Sequence, residues 1–107
     1  MSTTARPTPA DLRDAIKVAY KDLRRQGYFC RSNFWCCGTC ACAAVPDDRA
    51  AKYVFYHRQD AQDIDRSGWC YLGWAGDGRA IADAMTRAGL AVEWDGSPQA
   101  RILVRLP

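Results

Sequence analysis

Residues 69–94 read WCYLGWAGDGRAIADAMTRAGLAVEW. Trp69 to Trp74 is an aromatic-rich run with the composition of a strand. Gly73, Gly76 and Gly78 make a glycine-rich turn, and Asp77 is a good N-cap. A helix is predicted from about Gly78 to Ala88, with Ile81, Ala84, Met85 and Ala88 at helical spacing and turned inward. Gly89 ends it. Leu90 to Trp94 reads as the next strand. Asp95-Gly96-Ser97-Pro98 is a turn, and Arg101 to Leu106 is a last strand that forms a hairpin with the one before it. The glycine turn echoes a dinucleotide-binding unit, but its order departs from the G-x-G-x-x-G fingerprint, and Asp77 would repel a phosphate at the helix start. It is read as a tight connection.

Working outward, Lys52 to His57 (KYVFYH) is the clearest strand. Gln59 to Gly68 is polar and is read as a loop. Its aspartates, Asp60, Asp63 and Asp65, lack the glycine and terminal glutamate of a calcium loop. Nearer the N-terminus, Thr8, Pro9 and Asp11 make a helix start. Leu12, Ala15, Ile16, Ala19 and Leu23 form one buried stripe, and Gly27 ends the helix. Tyr28 to Cys30 is a short strand. Residues 36–44 (CCGTCACAA) suggest a short helix or tight loop, broken by Pro46. The expected fold is α+β. Residues 9–107 form a single small domain, a mainly antiparallel or mixed sheet with helices packed on one face, preceded by a flexible tail at 1–8.

The composition sets limits on function. A chain of 107 residues has room for one core. Hydrophobic residues at 49% and charged residues at 25% exclude disorder over the whole length. No apolar run approaches the ~20 residues of a membrane-spanning helix. The net charge of +3 is too small to argue for nucleic acid unless it is focused. The one place where it gathers is the outer face of the first helix, at Arg13, Lys17, Lys21 and Arg24. That face reads first as solvated and second as a docking surface, because Asp11, Asp14 and Asp22 dilute it. Residues 1–10 have no apolar core of the signal-peptide kind, so the protein is expected in the cytoplasm.

Six cysteines are the unusual feature. Reducing compartments disfavour structural disulfides, and four of the six crowd into residues 36–42. Cys37-Gly38-Thr39-Cys40 is a Cys-x-x-Cys, the spacing that brings two thiolates onto one zinc ion. The same spacing at a helix start lowers one thiol's pKa for redox chemistry. Zinc needs two further ligands, and the candidates are Cys36, Cys42, Cys30, Cys70 and His57, with a site built from Cys36 or Cys37, Cys40 and His57 the one singled out. No second Cys-x-x-Cys exists, and no thioredoxin-like arrangement surrounds the first. The competing reading is that the cysteines are small buried hydrophobes. Cys30, Cys42 and Cys70 are expected in the core. His57 is also a possible base to a cysteine nucleophile, oriented by Asp60, although a hydrogen-bonded structural histidine is the simpler reading. Trp35, Trp69, Trp74 and Trp94 are expected as core or rim anchors.

Four blocks carry a resemblance. They are residues 33–40 (NFWCCGTC), 53–60 (YVFYHRQD), 71–78 (YLGWAGDG) and 92–96 (VEWDG). Over roughly residues 12–106 the chain resembles a family of small uncharacterised actinobacterial and phage proteins. The resemblance singles out Cys36, Cys37, Cys40 and His57, and leaves out Cys30, Cys42 and Cys70. It implies a phage-related origin and a host macromolecular partner, and it brings no activity with it. The leading expectation is a non-enzymatic binding protein with no catalytic residues, acting on a protein partner and braced by zinc at Cys36, Cys37, Cys40 and His57. The alternatives are a thiol-dependent redox protein or enzyme using Cys37 and Cys40, and a weak nucleic-acid binder through the basic helix face.

Overall fold

A computed structural model describes residues 8–107. The expected tail lies outside them except for Thr8, which caps the first helix. Its hydroxyl accepts from the Asp11 N–H, and the Asp11 carboxylate accepts from the Thr8 N–H at 2.8 Å. Helix α1 (Pro9–Arg25) follows, with Pro9 in its first turn. Its buried face is Leu12, Ile16, Ala19, Tyr20 and Leu23, so the expected stripe is present with Tyr20 added and Ala15 half-buried at its edge. Fully burying each leucine or isoleucine there contributes about 1.5–3 kcal/mol.

After β1 (Phe29–Arg31) come α2 (Gly38–Ala44), a 3-10 turn at Asp47–Arg49, and β2 (Tyr53–Phe55). Then follow α3 (Arg58–Ser67), β3 (Trp69–Ala75), α4 (Gly78–Arg87), β4 (Ala91–Glu93) and β5 (Ile102–Arg105). The strands form one sheet in the order β1-β2-β3-β5-β4. β1 and β2 are parallel, and the other neighbours are antiparallel, so the sheet is mixed. The strand–helix–strand unit of residues 69–94 has a consequence for this order. β3 and β4 both run antiparallel to β5 and therefore parallel to each other. α4 is their crossover, and β5 fills the gap between them.

Residues 59–67 are helical and not a loop, which corrects the reading of that stretch. His57 and Asp60 form a capping box, and Gly68 ends α3 in the left-handed region at φ 75°. Only Ile64 and Asp60 of this helix are buried. One apolar residue leaves almost no periodic signal, while the caps at both ends define the helix.

Strand alternation assigns the two sheet faces. Cys30, Val54, Cys70, Leu72, Ile102 and Val104 join Leu12, Ile16, Ile64, Ile81 and Met85 in the main core. Helices α1, α3 and α4 therefore cover one face, as expected. Phe29 and Phe55 point the other way and meet Ala41 of α2 and Val45, just after it, in a second, smaller cluster. The short cysteine-bearing helix thus lies alone on the opposite face.

The glycine turn does not form a phosphate cradle. Asp77 Oδ1 accepts from the N–H groups of Arg79 and Ala80, capping α4. A Cβ on Gly78 would stand 2.5 Å from Trp94 Cη2 and 2.7 Å from Trp74 Cη2. Those two indoles meet edge to face at 5.6 Å, so Gly78 admits the aromatic pair against the helix start. Gly78→Ala is expected to lower stability by about 1–3 kcal/mol through this overlap. Urea unfolding measures it, and an unchanged midpoint would mean that the indoles move aside freely.

Candidate metal centre

The cysteine segment begins with two strained residues. Asn33 and Trp35 hold positive φ angles of 51° and 64°, a conformation side chains rarely adopt. Two backbone bonds hold them: Phe34 N–H to Tyr56 O at 2.8 Å, and Arg58 N–H to Trp35 O at 2.9 Å. The end of β2 and the start of α3 therefore fix the path of residues 33–37. That path delivers Cys36 and Cys37 to the N-terminus of α2, where Cys37 is the N-cap residue.

The Sγ atoms of Cys36, Cys37 and Cys40 lie within 4.8 Å of one another. Cys36 and Cys37 are 4.0 Å apart. Tetrahedral zinc with bonds of about 2.3 Å sets its sulfurs about 3.8 Å apart, so a small inward rotation closes the three onto one ion. The cluster can hold a metal. Cys36 is exposed and the other two are half-buried, so a fourth position would open to solvent.

The three thiols are not equivalent. Cys37 is held below the ordinary thiol value, first by the Cys40 backbone N–H and then by the Cys40 thiol, with smaller help from Cys36 and the Thr39 N–H. Cys40 is pushed up to about 11 because its proton is shared with the Cys36 and Cys37 sulfurs and their charge opposes its own. The thiolate therefore forms first on Cys37, and Cys40 is the donor that stabilises it.

His57 stands apart from the sulfur group. Its Nδ1 accepts the Asp60 N–H at 3.4 Å, which caps α3. The proton of the neutral ring is then on Nε2, 3.2 Å from Asp60 Oδ2. Neither nitrogen has a lone pair free for a metal. Among the described residues it makes no hydrogen bond to a cysteine, so the triad reading lacks its central contact. Asp60 does meet His57 as expected. The carboxylate is buried and takes the His57 N–H and a two-pronged Arg101 guanidinium at 2.5 and 3.2 Å. No spacing in the sequence pointed to Arg101, whereas His57-x-x-Asp60 has the spacing of a capping box.

The remaining cysteines divide. Cys30 and Cys70 are fully buried, as expected. Burial pushes the Cys30 thiol up to about 11 and raises Cys70 further. Cys42 is exposed, against expectation. It sits on the side of α2 away from the buried Ala41, with Sγ 3.9 Å from the Tyr53 hydroxyl.

The basic face of α1 is partly spent inside the fold. Arg13 pairs with Asp65 of α3 at 2.9 Å, and Arg24 donates to Cys30 O at 2.9 Å. Lys17 and Lys21 are exposed and have no such partner among the described residues. Of the tryptophans, Trp35 is the exception to anchoring: it is 56% exposed beside the thiols.

The fold and site together define a small α+β domain with an open three-thiol cluster on the sheet face that its longer helices leave uncovered. The chain belongs to the family described as Domain of unknown function (DUF6891), whose model matches residues 4–106. No curated protein and no solved structure matches it. No helix among the described residues is long and apolar enough to cross a membrane.

His57 provides a pH test. Burial, aided by Arg101 and opposed by Asp60, holds its pKa below 6.5. The unfolded chain therefore takes up the proton more readily than the folded one. The stability His57 confers as a neutral cap is complete above its unfolded value of about 6.5 and is lost as pH falls toward its lower native value. Melting temperatures at pH 7.5 and 5.5 should fall more for the wild type than for His57→Asn, which retains a capping oxygen. Equal falls would remove His57 as the cause.

Proposed function

We propose that the protein is a small non-enzymatic binding protein in which Cys36, Cys37 and Cys40 hold one zinc ion, with the fourth ligand supplied by water or by a bound protein partner. The convergence of three accessible sulfurs within 4.8 Å carries this reading. Three protein ligands leave the fourth position of a tetrahedral zinc open, and water or a partner's side chain can take it. Exposed Trp35 borders the thiols and, with Cys40 and Ala44, lines a shallow apolar hollow beside them. An aromatic anchor next to an open metal position suits protein recognition. A host macromolecule, the partner class that the motif resemblance implies, would meet this face. His57 is left out of the ligand set because its nitrogens serve the α3 cap.

The metal role differs from a brace. The main core closes without any of the three thiols. Zinc would order residues 33–44 and leave the rest of the domain folded in its absence.

A second reading rests on the unequal thiols. Cys37 as attacking thiolate and Cys40 as resolving thiol would reduce a substrate disulfide to two thiols, leaving a Cys37–Cys40 disulfide. Here the lowered Cys37 and the raised Cys40 are the support.

Reduced protein should bind one zinc per chain. Cys36→Ser, Cys37→Ser and Cys40→Ser should each weaken binding by about tenfold or more, while His57→Asn leaves it within about threefold. Chelator should remove the ion without unfolding the domain. Absence of zinc uptake, or serine variants that bind as well as the wild type, would overturn the metal reading. A Cys37 thiol that then reacts with a disulfide no faster than Cys42 would overturn the redox one.

A further inference from the structure

An open cavity of about 260 Å³ lies beside α2, over β2 and β3, and is bordered by the chain at Pro98–Arg101. We propose that it binds a small aromatic carboxylate, a ligand of one ring and one anionic group. The site is separate from the three thiols and does not depend on their binding a metal.

Unused hydrogen-bond donors select the anion. The lining includes Arg101 and no aspartate or glutamate. Asp60, the nearby acid, is buried beneath Arg101 and His57, and its oxygens already accept from the His57 N–H and from two Arg101 nitrogens. Arg101 has five N–H donors. Two go to Asp60 and one to Tyr71 O, which leaves Nε–H and one Nη1–H without a protein partner among the described residues. His57 also lines the cavity, with its Nε2 3.2 Å from Asp60 Oδ2. The charged edge of the cavity thus offers donors whose natural complement is a carboxylate.

Shape selects the ring. Tyr53, Phe55 and Trp74 supply aromatic surface, with Tyr53 and Phe55 stacked at 5.6 Å. The volume is below the roughly 300–1,000 Å³ that suits drug-sized ligands. Glycine matters at two points, seating a wall ring at one and leaving space at the other. At Gly73 a Cβ would stand 2.7 Å from Phe55 Cζ, so the missing side chain makes room for the end of that ring. At Gly38 a Cβ would meet only His57, at 3.9 Å, an ordinary contact. A side chain is therefore tolerated at residue 38 and would enter the cavity.

The test uses reduced, metal-free protein with benzoate as probe and benzamide as its neutral counterpart. The Trp74 indole N–H, which donates to Ala100 O at 3.0 Å in the cavity wall, is the reporter in NMR titrations. The Trp69 indole lies outside the lining and is the control. Benzoate should shift Trp74 saturably and leave Trp69 unmoved, with benzamide at least about tenfold weaker. Gly38→Leu should abolish the response. No saturable shift, equal binding of benzamide, or full binding by a folded Gly38→Leu would overturn the proposal. Should that variant not fold, the benzoate and benzamide comparison in the wild type decides alone.

Discussion

The buried Asp60 carboxylate ties together elements that neighbouring sequence does not join. It accepts from the His57 backbone at the end of β2 and from Arg101 at the start of β5. Arg101 continues to Tyr71 O on β3. Burying one carboxylate is costly unless it is paired and hydrogen-bonded. Asp60 meets that condition through a guanidinium that keeps one edge in solvent. Its partner therefore loses only part of its hydration, which makes the pair less costly than one with both charges enclosed. The same contacts fix His57 as a cap and begin α3, and α3 in turn receives Arg13 from α1.

A sheet with two unequal faces follows. On one, α1, α3 and α4 enclose a core that holds two cysteines as apolar filling. Surface pairs join these helices: Asp22 with Arg87 between α1 and α4, and Arg13 with Asp65 between α1 and α3. Such exposed pairs stabilise little, so packing holds this side together. On the other face a helix of seven residues, α2, is anchored by Ala41, Val45 and a few phenylalanines. A helix that short is marginal by itself. Its position depends on the β2–α3 junction, where Tyr56 O and the Arg58 N–H grip the strained residues 33–35. The thiols and the cavity both lie on this lightly held side, where local rearrangement costs least.

Periodicity made α1, β3, α4 and the terminal hairpin legible, because each buries an apolar stripe or alternation long enough to count. It failed at α3, where Ile64 is the one buried apolar residue and the stabilising groups are polar. The cue there was chemical: a histidine and an aspartate three apart, with a glycine where the helix stops. Cys42 was misplaced for a related reason. Cysteine is apolar enough to pass for core, and only the phase of α2 against Phe55 decides which of its small residues face inward. For the candidate site, adjacency in sequence sufficed to bring Cys36, Cys37 and Cys40 together. It could not do the same for His57, whose lone pair had a local claimant in the Asp60 N–H.

That competition explains why three sulfurs, and not three sulfurs with a histidine, form the credible centre. Releasing Nδ1 for a metal would leave the Asp60 N–H without its cap, at about 0.5–2 kcal/mol, and would turn the ring away from the buried carboxylate. A solvent-exposed sulfur cluster has no such obligations, since the thiols donate mainly to one another. The protein can thus leave one coordination position open at no cost to its core. An open position beside an exposed tryptophan is useful only when another molecule arrives to fill it. Such a position explains, better than a structural brace does, why polarisable side chains stand at the surface of a domain whose core is already closed.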